Sequence, residues 1–150
     1  MKKRILSLLI LLSAATATMA YNSILAKLVK TDYEGKADSL TKVFIKEFMN
    51  TSKGTFWVTP KGVNSSNTYI YWQQAHAIDV VIYAYQRNLA AGNKTQANLY
   101  KNYVSKWFQN KGNNYSGGST GFENPYTDDM CWIALTLQRM GEVFNNNTYF

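Results

Sequence analysis

Apolar residues recur at helical spacing through most of the chain. Over residues 38–50, Leu40, Val43, Phe44 and Phe48 fall at three- and four-residue steps while Lys42, Lys46 and Glu47 fall elsewhere, the period of an amphipathic helix. Asp38 or Ser39 is placed to cap it, Thr51-Ser52-Lys53-Gly54 ends it, and Pro60, Gly62 and the polar residues 64–68 mark a long loop. A second helix is predicted over about residues 69–91. Its stripe is Ile78, Val81, Ile82, Tyr85 and Leu89, and Ala75, Ala77, Val80 and Tyr83 make much of the remaining surface apolar, so it reads as buried on most sides. Gly92-Asn93 stops it. A third helix, about residues 94–110, sets Leu99, Tyr103 and Trp107 on one face and Lys101, Asn102 and Lys106 outside. After a second long loop at residues 112–124, rich in Gly, Asn and Ser, a fourth helix runs to about residue 144, with Asn124 and Pro125 as its N-cap and first helical residue. Cys131, Ile133, Ala134, Leu135, Leu137, Met140 and Val143 make it interior as well. No strand pattern competes. The expected fold is all-α, made of helical hairpins alternating outer and inner helices, with the long loops opening at the N-terminal ends of the two inner ones.

The N-terminus adds a different kind of segment. Met1-Lys2-Lys3-Arg4 precedes an uncharged run over residues 5–14, too short to span a membrane comfortably, and together they read as a secretory signal peptide. Thr18-Met19-Ala20 places small residues for cleavage before Tyr21, with Ala15-Thr16-Ala17 as the second choice. The expected organisation is a signal peptide at 1–20 and one domain at 21–150, exported to the periplasm or outside the cell, with no membrane attachment after cleavage. Cys131 is the single cysteine, so neither an intramolecular disulfide nor a multi-cysteine metal site is available.

Charge excludes one partner class. Of the net +7, Lys2, Lys3 and Arg4 supply three, and the remaining lysines are scattered at helix-surface spacings. Nucleic-acid binders concentrate such charge in a stripe, so nucleic acid is not an expected partner. With one histidine and one cysteine, a zinc site would have to be built chiefly from carboxylates, and no metal or other cofactor is expected.

The chemistry-bearing feature is Asp128-Asp129, in the first turn of an otherwise apolar helix. Acidic residues are common there because they complement the helix dipole. Here Trp132 follows Asp128 by four residues and so shares its face, while Tyr126, Phe122 and Tyr115 precede the pair, flat surfaces of the kind that stack on sugar rings. His76, four residues after Trp72 and three before Asp79, is set either for a His–Asp contact along one helix face or for a satisfied interior position. Trp57 and Trp107 read as core.

The run Asn124-Pro125-Tyr126-Thr127-Asp128-Asp129-Met130-Cys131-Trp132-Ile133-Ala134-Leu135 resembles the Asp-Asp-x-x-Trp signature of glycoside hydrolase family 76, the endo-α-1,6-mannanases. Tyr71-Trp72-Gln73-Gln74-Ala75-His76-Ala77-Ile78-Asp79 is similar to the first inner helix of that family. The resemblance implies a retaining glycosidase acting on α-mannan or manno-oligosaccharides, with Asp128 as nucleophile and Asp129 as acid and base. Retention needs two carboxyls roughly 5–5.5 Å apart, which neighbouring helical residues can meet. A helix N-terminus favours an ionised nucleophile, and the adjacent like charge with partial burial would raise the second carboxyl toward proton donation. The resemblance also makes Trp72, Gln73, Gln74, His76, Tyr126 and Trp132 candidate substrate contacts. Core packing for Trp72 and backbone hydrogen bonds for the two glutamines are the alternatives.

The family fold is an (α/α)6 barrel, which at roughly 40–50 residues per hairpin needs more than twice this length. The expectation is therefore a truncated domain of about two hairpins, whose inner helices expose apolar faces open to self-association. A catalytically incompetent or carbohydrate-binding fragment, and a different helical-barrel glycosidase or lyase, stand as alternative functions.

Overall fold

The computed structural model describes residues 33–63, 71–110 and 121–150. The expected signal peptide with its cleavage sites, the expected polar loop over 64–68 and most of the expected loop containing Tyr115 fall outside the described residues. By its internal contacts the chain divides into residues 1–37 and residues 38–150. In the first unit, the described residues 33–37 are helical. The second unit holds everything that follows.

The described residues are mostly helical, as the periodicity predicts. Residues 33–48 form α1, of which 38–48 belong to the second unit. Then come α2 (Tyr71–Ala90), α3 (Lys94–Gln109) and α4 (Thr127–Phe144), with short 3-10 turns at Pro60–Gly62 and Asn147–Tyr149. One element was not foreseen. Strands β1 (Met49–Asn50) and β2 (Thr55–Phe56) pair antiparallel, with Met49 opposite Phe56 and Asn50 opposite Thr55. Asn50 nucleates the turn between them: its carbonyl accepts from the N–H groups of Lys53 and Gly54, and its side chain accepts from Ser52.

The ends of α2 and α4 are set by local chemistry. At the end of α2 the Asn93 N–H donates to the Asn88 carbonyl and the Gly92 N–H to Leu89, with Gly92 at φ 78°, the Schellman arrangement that a glycine favours. Asn93 then caps α3, accepting from the Gln96 N–H. α4 ends the same way with Asn145 in the left-handed region and Asn146 donating to the Gly141 carbonyl. Its start differs from expectation. The first helical residue is Thr127 and the N-cap is Tyr126, while the Asn124 side chain accepts from the Tyr126 N–H in the preceding turn.

The inward faces of α1 and α3 differ from those the periodicity predicts. On α1, Leu40 is 71% and Val43 58% exposed, whereas Thr41 and Ile45 are buried and Phe44 and Phe48 half-buried. Polar contacts explain the rotation: Asp38 accepts from Arg87 and Asn88 of α2, and Arg87 also reaches Thr41. On α3 the inward set is Ala97, Tyr100, Val104 and Trp107, with Leu99 exposed. Trp107 is core as predicted, and Trp57 is only half-buried.

These contacts fix the directions of the helices. Residues 38–48 of α1 run antiparallel to α2, because Asp38 meets the C-terminal turns of α2. Helix α3 returns along α2 through the tight turn at residues 91–93. α4 lies parallel to α2: Thr136 reaches the Ala75 carbonyl, Arg139 pairs with Asp79, and Phe144 packs 4.9 Å from Tyr85. Ile78, Val81, Ile82, Tyr100, Val104, Trp107, Ile133 and Met140 form the shared core. Neither α2 nor α4 is enclosed on all sides. Val80 and Tyr83 of α2, and Met130 and Leu135 of α4, remain exposed, as do Cys131 and Ala134.

Candidate functional site

The parallel packing of α2 and α4 brings their N-terminal turns together. Two positive dipole ends therefore stand side by side, and Asp128 and Asp129 occupy the first turn of α4. Asp128 is exposed and Asp129 half-buried. Burial, reinforced by the charge of Asp128, holds the Asp129 carboxyl above the ordinary aspartate range. The asymmetry suits two roles. One carboxylate faces water and the other retains its proton to higher pH.

One turn along α4, Trp132 meets α2. Its ring centroid is 4.7 Å from that of His76, and His76 in turn lies edge-on to Trp72 at 5.5 Å. The i to i+4 steps Asp128–Trp132 and Trp72–His76 thus merge into one aromatic surface spanning both helices. All three rings are exposed. The continuation of this face toward the C-terminal ends is charged: Arg139 pairs with Asp79 and lies 5.4 Å from the Tyr83 ring. Asp79, available to His76 on sequence spacing, is instead engaged by Arg139. The signal for Arg139 was present, since it stands seven residues after Trp132 and so returns to the same face.

Tyr71 supplies a contact that sequence reasoning missed. Its hydroxyl donates to the Phe122 carbonyl, tying the start of α2 to the segment that leads into α4. Burial, with the nearby Asp129 charge, pushes the phenol up to about 12. It therefore remains a hydrogen-bond donor across the physiological range. Phe122 itself is turned inward, with its ring 5.3 Å from Trp107 and 5.9 Å from Phe108. It is a packing residue that anchors the approach to the Asp pair, and the expectation of a sugar platform there is corrected.

The remaining candidates separate. Tyr126 is 61% exposed at the N-cap of α4. Gln73 is half-buried and lines a cavity beside Trp72 and His76. Gln74 points elsewhere: it is buried, its Nε2 donates to the Phe56 carbonyl, and its Oε1 accepts from the Phe56 N–H. Both ends of its amide are occupied by backbone, so Gln74 is a structural residue and not a substrate contact.

The cavity, about 360 Å³, lies where α1, the strand pair and the first half of α2 meet. It was not visible in the sequence because its walls come from three separate segments. Among the described residues no three His, Cys, Asp or Glu side chains come together to hold a metal ion, and no helix is long and apolar enough to cross a membrane. Compared with models of known protein families, with curated proteins and with solved structures, the chain matches none.

Proposed function

We propose that this chain carries the catalytic aspartate pair of a family 76-type glycoside hydrolase, cleaving α-1,6-mannosidic linkages with retention. One observation carries the reading. Asp128 and Asp129 stand at the joined N-terminal ends of two parallel helices, one turn from the exposed Trp132–His76–Trp72 surface.

In this reading a mannose ring stacks on the aromatic surface, its apolar face against the ring planes. An Asp128 oxygen attacks the anomeric carbon as the C–O bond to the leaving sugar breaks. Asp129 gives its proton to the departing oxygen, which leaves a covalent mannosyl ester on Asp128 and an ionised Asp129. Asp129 then takes a proton from water as that water attacks the anomeric carbon, releasing the mannosyl product with its configuration retained and restoring both carboxyls. The raised Asp129 carboxyl supports the donor role, because a proton donor must hold its proton near working pH. The parallel order of α2 and α4, with residues 38–48 of α1 and the whole of α3 packed antiparallel against α2, supports placing these helices in part of an (α/α)6 barrel. The exposed Tyr83, Met130 and Leu135 support the same placement and an associated tendency to self-associate. The reading includes export, with α-mannan met outside the cytoplasm.

Release of shortened oligosaccharides from α-1,6-mannan by the purified chain is the test, with Asp128→Asn and Asp129→Asn each reducing it by at least a hundredfold. Undiminished activity in either variant rejects the assignment. The exposure of Asp128 favours a second reading, a carbohydrate-binding module without turnover, because an open carboxylate is strongly screened by water. Binding of manno-oligosaccharides with no product formed would select it.

A further inference from the structure

The cavity beside Trp72 differs in character from the sugar-stacking surface. Phe44, Phe48, Phe56, Trp57, Val58 and Val80 contribute most of its wall, and Phe44 stacks on Phe56 at 5.2 Å between centroids. A monosaccharide would bury its hydroxyls there without partners. Polar groups occur at one side only, where Gln73 and His76, three residues apart on α2, share a face. Among the described residues neither side chain is engaged in a hydrogen bond. An open apolar cleft of this size with two polar groups at its margin has the form of a small-molecule site.

We propose that this cavity binds the apolar part of an amphipathic ligand, an alkyl or aryl group whose polar end is held by Gln73 and His76. His76 also touches Trp132, so the polar end emerges onto the aromatic surface beside the Asp pair. That the polar end is a sugar rests on the glycosidase reading; the apolar site itself does not. A packed helix is the less suitable occupant, since apolar side chains against Gln73 and His76 would leave both without partners.

Affinities of the full chain for hexyl α-mannoside, methyl α-mannoside and hexyl β-glucoside, followed by the fluorescence of the wall tryptophans, test the site. Both hexyl glycosides are expected to bind at least tenfold more tightly than the methyl glycoside. Val80→Trp, at an exposed position on the wall, should narrow the chamber and remove that preference. Ala77→Leu is the second variant should the first not fold. Equal affinity of methyl and hexyl mannosides overturns the proposal. So does sedimentation showing a dimer that Val80→Trp converts to monomer, because the cavity would then hold a second copy. Hexyl glucoside binding as well as hexyl mannoside, with α-1,6-mannan left uncut, rejects the mannanase reading while leaving the apolar site standing.

Discussion

The carboxamide of Gln74 serves Phe56 as a neighbouring strand would. The Phe56 N–H donates to Oε1 at 3.0 Å, and Nε2 donates to the Phe56 carbonyl at 2.8 Å. A two-residue strand pair is not stable alone. By satisfying the free edge of β2, Gln74 joins the strand pair to α2 and holds Phe56 in the core and Trp57 at the cavity wall.

Replacing Gln74 by Leu keeps the volume and removes both partners. Two buried backbone groups of Phe56 would then be unsatisfied, at about 2–4 kcal/mol in all. Urea unfolding should show that loss at unchanged slope. Gln74→Glu should be least stable at neutral pH and recover toward acid, because only the protonated carboxyl can both accept from the N–H and donate to the carbonyl.

The contrast between α2 and α1 explains what could be read from sequence. α2 and α3 were legible to within two residues, since Gly92 and Asn93 punctuate them chemically and their apolar spacing is long and regular. The inward face of α1 was not. Its apolar spacing points to Leu40 and Val43, but the ion pair of Asp38 with Arg87 turns Thr41 and Ile45 inward. A partner 49 residues away decides the rotation, and hydropathy does not carry that information. The candidate site divides along the same line. Asp128–Trp132 and Trp72–His76 follow from helical spacing within one segment, whereas the meeting of His76 with Trp132 depends on the parallel packing of two helices. Between substrate contact and backbone hydrogen bonds for Gln74, the sequence offers no choice, because nothing local announces a strand edge that needs its carboxamide.

Gly54 makes a close approach that no side chain can share. Its φ is 77°, and a Cβ there would stand 2.5 Å from the Trp107 backbone nitrogen and 2.7 Å from the Tyr103 carbonyl oxygen. The turn is docked on α3 by Lys106 to the Thr51 carbonyl and by Asn110 to the Lys53 carbonyl. Gly54→Ala combines left-handed strain with a backbone clash and should cost about 3 kcal/mol. Gly92→Ala, where the added methyl meets open space, should cost only about 1 kcal/mol from the dihedral alone. Thermal melts of the two variants side by side separate clash from strain.

The Asp79–Arg139 pair joins α2 to α4 below the aromatic surface, with side chains 17% and 32% exposed. Asp79 Oδ1 is buried with no hydrogen-bond partner. Removing Arg139 leaves a largely buried carboxylate unpaired, so Arg139→Met should destabilise the chain by about 2–3 kcal/mol. Adding Asp79→Leu to that variant should restore part of the loss, because the stranded charge is gone. Failure of the double variant to recover would show that Arg139 acts through its packing on Tyr83.

Asp129 ties stability to pH in the direction opposite to an ordinary salt-bridged aspartate. Its folded-state pKa is raised by burial first and by Asp128 second. The folded protein therefore holds this proton more tightly than the unfolded chain does. Stability from this group is greatest below the unfolded aspartate value, falls as pH rises from there through the raised folded value, and stays reduced at neutral pH. Asp129→Asn removes the ionisation and the repulsion with Asp128, so its melting temperature should exceed that of the parent at pH 7. The difference should shrink as pH is lowered through the carboxylate range. Asp128→Asn should give a smaller gain, through relief of repulsion alone, and should lower the titration midpoint of Asp129 measured by carbon NMR of labelled aspartate. Loss of α-1,6-mannan cleavage in both variants together with this pH-dependent gain in stability would show that the parent chain gives up fold stability for a poised proton donor, which is the physical signature of a catalytic carboxyl and not of a helix cap.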